Sequence, residues 1–285
     1  MQQKINTAKT LLEALPFIKE FYGEKVVIKY GGAAQVNPDL KEKFAQDIVL
    51  MYLVGIKPII IHGGGFKITE LLNKLNIKTE FIDGQRVTSE DAMRIAEMVL
   101  SGDINKEIVS MLNHHGAKAI GINGKDANFI KAKAKDDGKF GYTGLITDID
   151  ADVIDNLINE KFIPVIAPIS AGEHLGHLGF NINADIAACE IAIALKAKKV
   201  LFLTDTAGVL DDNGDLLDSL TGIEVEELKA RGVISGGMIP KVDSCIKAVR
   251  NGVGKAHIID GRVEHSILLE ILTQDGVGTE IMKAT

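Results

Sequence analysis

Six short apolar runs recur along the chain, at 26–30, 58–62, 118–122, 162–167, 200–204 and 256–260. Most of them are nearly continuous in hydrophobic residues, which is typical of parallel strands covered on both faces. Helical patterns lie between these runs, and two of them begin at clear N-caps, Asn37 and Ser89. Because strands alternate with helices, the sequence predicts an α/β fold with a mainly parallel central sheet.

The remaining segments complete the predicted elements. Further helices are expected at 152–160, 185–196, 225–231, 238–250 and 265–272, and the helix from Ser89 is predicted to end near Leu100. Residues 79–88 and 127–147 break the alternation and predict β-hairpins or lids. A third hairpin is predicted at 210–217, where Asn213-Gly214 suits a type I′ turn. No linker is evident, so we predict one compact unit with two lobes, 23–180 and 181–285.

Residues 1–22 form a separate amphipathic pattern. Apolar side chains recur at three- and four-residue spacing, which predicts a helix, at Ile5, Ala8, Leu11, Leu12, Leu15, Ile18 and Tyr22. Thr10 and Glu13 have the spacing of a capping box, and Pro16 is predicted to kink or interrupt the helix. The pattern leaves open whether the apolar face packs on its own sheet or on another subunit.

Composition narrows the class of protein. The 285 residues include 32 basic and 39 acidic side chains, for a net charge of −7. Without a long basic run this charge argues against a nucleic-acid partner. No apolar stretch reaches the roughly 20 residues that span a membrane, and the first residues do not have a signal-peptide pattern. The two cysteines form no CxxC pair and the histidines show no strong metal spacing, so we expect a reduced, cytoplasmic protein without a protein-bound metal.

Glycine clusters follow several of the predicted strands. Gly31-Gly32 follows the first run, 63–65 follows the second, and further glycines follow at 124 and 208. Glycine lets backbone N–H groups approach an anion closely, and the positive end of the next helix points to the same place. Such turns after two strands favour a phosphate or carboxylate site. The Walker and GxGxxG patterns are absent, so any nucleotide must bind to a different scaffold.

Four charged residues stand out from their local context. Lys29 interrupts a buried strand pattern, and Lys241 falls in the first turn of a helix, where the helix dipole disfavours cations. A bound polyphosphate would explain both, although Lys29 could also reach the surface and Lys241 could be solvated. Asp185 lies in the first turn of a nearly all-apolar helix. Its carboxylate could hold lysines by charge-assisted hydrogen bonds, or it could simply interact favourably with the helix dipole. Arg86 offers a fork for a carboxylate, or is an ordinary surface arginine.

An ordered set of motifs carries a resemblance over essentially the whole chain. KYGG at 29–32, HGGG at 62–65, GQRVT at 84–88, NINAD at 181–185, LTDTAG at 203–208 and GGMIPK at 236–241 resemble the amino-acid kinase family. Single motifs are shared with carbamate, uridylate and aspartate kinases. GQRVT together with NINAD and the chain length resembles the N-acetylglutamate kinases in particular. The resemblance implies the amino-acid kinase fold, a three-layer αβα sandwich.

The resemblance also implies an activity and a site. Members of this group transfer a phosphoryl group from ATP, with Mg²⁺ held mainly by phosphates and water, to the γ-carboxylate of N-acetyl-L-glutamate. Lys29 and Lys241 would neutralise the developing charge, and Asp185 would position them. Other implied roles are phosphate binding by Gly31 and Gly32, substrate binding by Gly64, Gly65, Arg86 and Asn181, and nucleotide binding by Asp205, Thr206, Gly208 and Leu210. A sibling kinase for another N-blocked acidic amino acid, or a weakly active regulatory protein, remains an alternative.

Two features resemble the arginine-inhibited members of the group. The N-terminal helix corresponds to one that joins dimers into a hexameric ring, a trimer of dimers. The C-terminal run resembles an arginine-effector signature through His265, Glu270, Gly276 and Gly278. Arginine is therefore expected as a feedback inhibitor. The resemblance leaves open whether a nitrogen-signalling protein also binds the ring.

Overall fold

A computed structural model describes residues 1–82 and 85–283, except for the side chains of residues 2, 3 and 7. The strands are β1 Lys25–Tyr30, β2 Lys57–His62, β3 Glu80–Ile82, β4 Gln85–Val87, β5 Ala119–Gly124, β6 Ile130–Ala134, β7 Gly144–Ile149, β8 Ile163–Ser170, β9 Lys199–Thr204, β10 Ser219–Thr221, β11 Lys255–Asp260 and β12 Thr279–Met282. The α-helices are α1 Gln2–Phe21, α2 Pro38–Leu53, α3 Gly65–Lys74, α4 Glu90–Glu97, α5 Asn105–His114, α6 Ala151–Asn159, α7 Ala184–Ala194, α8 Gly222–Ala230, α9 Ile239–Arg250 and α10 Ser266–Leu272.

Eight strands form one sheet in the order β10-β12-β11-β9-β1-β2-β8-β5. Every pair in this sheet is parallel except β11 with β12. The six strands predicted from apolar runs are all present in it, and they include the four central strands. The prediction of a mainly parallel sheet is therefore confirmed.

The core divides by the face of the sheet. On β1, Val26 and Ile28 belong to one buried cluster and Val27 belongs to the other. Helices cover both faces, as expected for strands whose side chains alternate between two apolar layers. Because the sheet runs without a break through β1, β2 and β9, the division into lobes at residue 180 stays a prediction.

Capping explains where two predicted helices begin. The Asn37 side chain accepts from the backbone N–H groups of Asp39 and Leu40, and the Ser89 hydroxyl accepts from that of Ala92. The predicted end near Leu100 was wrong. After α4 the chain continues as a π-helix, Met98–Ile104, and then directly as α5.

The hairpins differ in how well they were predicted. The pairs β3–β4 and β6–β7 confirm the first two, although residues 83 and 84 of the segment 79–88 lie outside the described residues. In the third, Leu210 pairs with Leu216 across a turn. That turn is not type I′, because Gly214 has a positive φ of 87° and Asn213 does not. The Asp211 carboxylate instead accepts from the N–H groups of Asn213 and Asp215.

Helix α1 continues through Pro16. The predicted interruption of the helix at this residue is therefore wrong. Thr10 does not cap a helix; its hydroxyl donates to the carbonyl of Asn6, in the middle of α1. Leu11 and Leu12 remain 68% and 65% exposed. The described part of the chain therefore leaves much of this apolar face uncovered. No helix among the described residues is long and apolar enough to cross a membrane.

Candidate active site

One carboxylate holds two lysines at the carboxyl end of the sheet. Lys29 Nζ lies 3.2 Å from Asp185 Oδ1, and Lys241 Nζ lies 2.8 Å from Asp185 Oδ2. Lys29 comes from β1, Asp185 from the first turn of α7 and Lys241 from the first turn of α9. The lysine side chains are only 11% and 16% exposed. The anomalies noted in the sequence for Lys29 and Lys241 thus meet at one buried point.

The charge of this cluster follows from its contacts. Burial raises the pKa of Asp185, but the positive charges of Lys29 and Lys241 and their hydrogen bonds outweigh it and hold that pKa below its usual value. The carboxylate is therefore ionised at neutral pH, and the cluster carries a net positive charge. Two ammonium groups fixed near the N-termini of two helices form an environment suited to an anion.

Close packing explains the glycines that follow β1 and β2. At Gly32, where φ is +67°, an added Cβ would lie 2.3 Å from Asp205 Oδ1. At Gly64 it would lie 2.4 Å from the Ile104 side chain and 2.6 Å from that of Leu100. Asp205 also accepts from the backbone N–H of Ala33 at 2.6 Å. These turns therefore require glycine for packing reasons, and the same positions line the cavities next to Lys29.

Arg86 lines a cavity of about 210 Å³ beside the lysines. Six of the predicted site residues border it: Lys29, Gly64, Gly65, Arg86, Asn181 and Asp185. The guanidinium donates to the hydroxyls of Thr79 and Thr69 at 2.9 and 2.8 Å and to the Gly65 carbonyl at 3.2 Å. Among the described residues no carboxylate lies within ion-pair distance of it. Burial lowers the pKa of Arg86, which nevertheless stays charged at neutral pH.

A buried hydroxyl network behind this cavity was missed by the sequence analysis. Thr143 donates to the Arg86 carbonyl at 2.6 Å and lies 2.9 Å from the Thr88 hydroxyl. Asn181 in turn donates to Thr88 at 3.3 Å. The network joins the end of β4, the residue before β7 and the segment before α7, so it fixes Arg86 and Asn181 relative to each other. Thr88 lies in a noted motif, whereas nothing in the sequence near Thr143 indicated a role.

The four residues predicted to bind nucleotide divide into two groups. Asp205 borders a second cavity of about 750 Å³, which it shares with Lys29, Gly31 and Gly32. Thr206 donates to the Gly208 carbonyl at 3.2 Å, and an added Cβ on Gly208 would lie 2.5 Å from Thr279 Oγ1. Leu210 is partly exposed at the start of its hairpin. Only Asp205 is thus brought to the lysine cluster.

A third cavity, of about 570 Å³, lies between α1 and the C-terminal segment. Glu270, Gly276 and Gly278 line it, but His265 does not and instead contacts Asp47 at 2.5 Å. Glu270 is buried against Lys199 and accepts from His257 Nε2 at 2.9 Å. Burial raises the pKa of Glu270, but these two partners outweigh it and lower that pKa to about 2. This buried ionic cluster was also missed, because Lys199 follows Lys198 and resembles an ordinary surface lysine.

The parallel sheet, the glycine turns and the lysine–carboxylate–lysine cluster together define an α/β protein with a cationic cleft at the carboxyl edge of its sheet. The amino acid kinase family model matches residues 24–260. Acetylglutamate kinases from Sulfurimonas denitrificans and Nitratiruptor sp. are 68% and 65% identical to this chain, each alignment covering 99% of both chains. The chain therefore belongs to the amino acid kinase family, and within it to the acetylglutamate kinases.

A solved structure supports the fold. An N-acetylglutamate synthase from Neisseria gonorrhoeae, complexed with coenzyme A and N-acetyl-glutamate, aligns with a TM-score of 0.87 and 24% identity. The alignment covers 98% of this chain and 64% of that chain. At this identity the similarity establishes the shared architecture alone.

Proposed function

We propose that this protein transfers the γ-phosphoryl group of MgATP to the γ-carboxylate of N-acetyl-L-glutamate, giving N-acetylglutamyl phosphate and ADP. The acetylglutamate kinases to which it is 68% and 65% identical support this substrate pair. The observation that carries the proposal is the Arg86 guanidinium, which is buried without a carboxylate partner among the described residues, beside Lys29. A buried guanidinium without a counter-ion is unfavourable, and an anionic substrate supplies one.

The chemistry requires few protein groups. A carboxylate with a pKa of about 4.3 is already ionised at neutral pH, so no general base is needed. Its oxygen attacks the γ-phosphorus, the bond to the β-bridging oxygen breaks, and ADP leaves with that electron pair. Catalysis then consists of positioning and charge stabilisation, which the ammonium groups of Lys29 and Lys241 provide. Asp185 holds both at the distances given above and does not contact phosphate.

Mg²⁺ neutralises charge on the phosphates. Among the described residues no group of three or more His, Cys, Asp or Glu side chains could hold a metal ion by itself. We propose that phosphates and water supply most of its ligands, as is common for Mg²⁺ in kinases. The cavity of about 750 Å³ that the glycine turns after β1 and β2 border together with Lys29 has room for a polyphosphate, which supports MgATP as the phosphoryl donor. We further propose that the protein acts in the cytoplasm, where a biosynthetic kinase finds ATP.

The test of this function is an ATP-dependent hydroxylamine trap for the acyl phosphate. N-acetylglutamate, glutamate and N-acetylaminoadipate are supplied separately, and hydroxamate is measured. We expect hydroxamate chiefly with N-acetylglutamate. A preference for aminoadipate would indicate the sibling kinase, and no product with any of the three would refute a kinase of this class.

Arg86→Lys is expected to raise the KM for N-acetylglutamate about 10- to 100-fold, with a smaller effect on kcat. Lysine keeps the charge but cannot offer the planar fork that matches a carboxylate, and a charge-assisted hydrogen bond contributes about 1.5–3 kcal/mol. Steady-state kinetics with each substrate varied in turn measure the effect. Arg94→Lys is the control, because the Arg94 side chain is exposed on the outer face of α4 and pairs with Glu90. An equal rise in the KM for ATP would argue against a role in binding the acceptor.

We also propose that arginine inhibits the enzyme by binding the cavity beside α1. Its lining is rich in carboxylates, which suit a guanidinium and an ammonium group: Glu20, Asp218, Asp260, Glu270, Asp275 and Glu280. Gly276 and Gly278 add backbone to the same wall, whereas His265 contacts Asp47 and does not line the cavity. The exposed apolar face of α1 supports a hexamer in which this helix joins dimers.

Leu12→Asp is expected to dissociate the hexamer to dimers and to raise the arginine concentration for half-inhibition. An ionised carboxylate at the centre of an apolar helix contact is strongly unfavourable, and the same helix borders the effector cavity. Sedimentation velocity gives the oligomer size, and the hydroxamate assay gives the inhibition curve. Lys9→Gln, on the same helix, also lowers the charge by one unit and is the control for the charge change. Full activity of the wild type across millimolar arginine would refute the regulatory proposal.

A further inference from the structure

The chemistry proposed above uses the glycine turn at 63–65 but not the histidine that precedes it. His62 ends β2 and is completely buried. Its Nδ1 lies 3.0 Å from the Gly63 carbonyl oxygen, and its Nε2 lies 3.2 Å from Asn105 Nδ2. Burial lowers the pKa of His62 to about 4, with the charge of Lys106 adding to the effect, so the ring is neutral at neutral pH.

The neighbours of Asn105 determine which nitrogen of the ring carries the proton. Lys106 has only donors, and its Nζ lies 3.1 Å from Asn105 Oδ1, so the amide oxygen must face it. Asn105 Nδ2 then donates to the Val165 carbonyl and to His62 Nε2. Because Nε2 accepts, the proton of the neutral ring is on Nδ1, which donates to Gly63. The Asn105 amide packs directly against the backbone of Gly121. Only glycine fits at that position, because an added Cβ would lie 1.7 Å from Asn105 Oδ1.

This arrangement fixes the peptide between Gly63 and Gly64. The Gly63 carbonyl accepts from His62 Nδ1 and also from Gln35 Nε2 at 3.0 Å. In a trans peptide the N–H points opposite to the carbonyl, so the Gly64 N–H points away from both donors. No described protein atom accepts a hydrogen bond from it. Gly64 lines both cavities that border Lys29.

We propose that His62 is a positioning residue that, with Asn105, orients the Gly63–Gly64 peptide so that the Gly64 N–H donates to the phosphoryl group during transfer. The proposal rests on the kinase function proposed above. His62 itself does not contact substrate and transfers no proton. It fixes a backbone donor before the charge develops, which avoids reorganisation during the reaction.

Two replacements of His62 separate the hydrogen bond from the volume of the ring. In His62→Asn the amide nitrogen can take the place of Nδ1, whereas His62→Leu fills the space without a donor. We expect His62→Leu to lose about 100-fold in kcat, the usual cost of one misplaced transition-state donor, with little change in the KM for N-acetylglutamate. His62→Asn should recover most of that loss. His115→Leu, a partly exposed histidine paired with Glu42, is the control. A folded His62→Leu enzyme with wild-type kcat would overturn the proposal.

The ring proton is measured on the wild-type enzyme, independently of whether a variant folds. Nitrogen-15 NMR of labelled histidine, assigned with His62→Asn, should show the Nδ1–H tautomer. Asn105→Leu removes the donor that holds Nε2 as an acceptor without adding a charge, so the ring loses its fixed orientation and kcat should fall; unchanged kcat would overturn the proposal. A wild type that forms no hydroxamate refutes the kinase function. An active wild type with an Nε2–H ring refutes only the role of His62.

Discussion

Replacing Lys241 by methionine is expected to lower kcat about 1,000-fold while leaving the free energy of unfolding nearly unchanged. Its ammonium group is one of two fixed positive charges at the site proposed for phosphoryl transfer, and removing such a group typically costs about 10²- to 10³-fold. Methionine preserves the packing of the aliphatic stem. Asp185 keeps Lys29 as a partner at 3.2 Å, so no uncompensated buried charge remains. Hydroxamate kinetics and urea denaturation measure the two effects.

Lys247→Met is the matched control for this prediction. Lys247 lies on the same helix, α9, and pairs with Glu190, but its side chain is 54% exposed and lines none of the three cavities described above. It should lose neither activity nor more than about 1 kcal/mol of stability, as is usual for an exposed ion pair. If Lys241→Met loses stability in proportion to turnover, the lysine is structural and the catalytic assignment fails.

The sheet could be predicted because its signal is local. Each central strand is apolar on both faces, and each of the caps at Asn37 and Ser89 satisfies N–H groups within four residues. The lysine cluster was also indicated, because Lys29 and Lys241 each contradict the expectation for their own element. Their meeting on Asp185 depends on contacts more than 50 residues apart in sequence, which spacing alone cannot give.

Other parts depend on tertiary contacts that leave no local mark. The π-helix after α4 places Leu100 and Ile104 against Gly64, but the residues 98–104 resemble an ordinary helix end. Glu270 gains its partners only when β9, β11 and α10 pack together. The third hairpin was predicted from Asn-Gly, and the Asp211 side chain selected a different turn. In each case the local structure depends on a side chain distant in sequence or on a competing side-chain hydrogen bond.

Asp185→Asn is expected to reduce both activity and stability, unlike Lys241→Met. The two lysines lose the carboxylate that holds them, and two buried ammonium groups are left without a counter-ion. Breaking a buried ion pair from one side costs about 3–5 kcal/mol. We expect that loss at pH 7, together with a fall in kcat of about 100-fold or more, because neither lysine is held in position. Urea denaturation and hydroxamate kinetics on the same preparation measure both.

The pH dependence identifies the cause of this loss. In the folded protein the pKa of Asp185 lies below its unfolded value of about 3.9, so the stabilisation is present above about pH 4 and is lost as the pH falls further. The difference between wild type and Asp185→Asn should therefore shrink below pH 4. Asp39→Asn is the control, because Asp39 follows the capping Asn37 as Asp185 follows Asn183, but has no lysine partner among the described residues. It should lose only the dipole contribution of about 0.3–1 kcal/mol. An equal loss in the two variants would mean that Asp185 acts on its helix and not on the lysines.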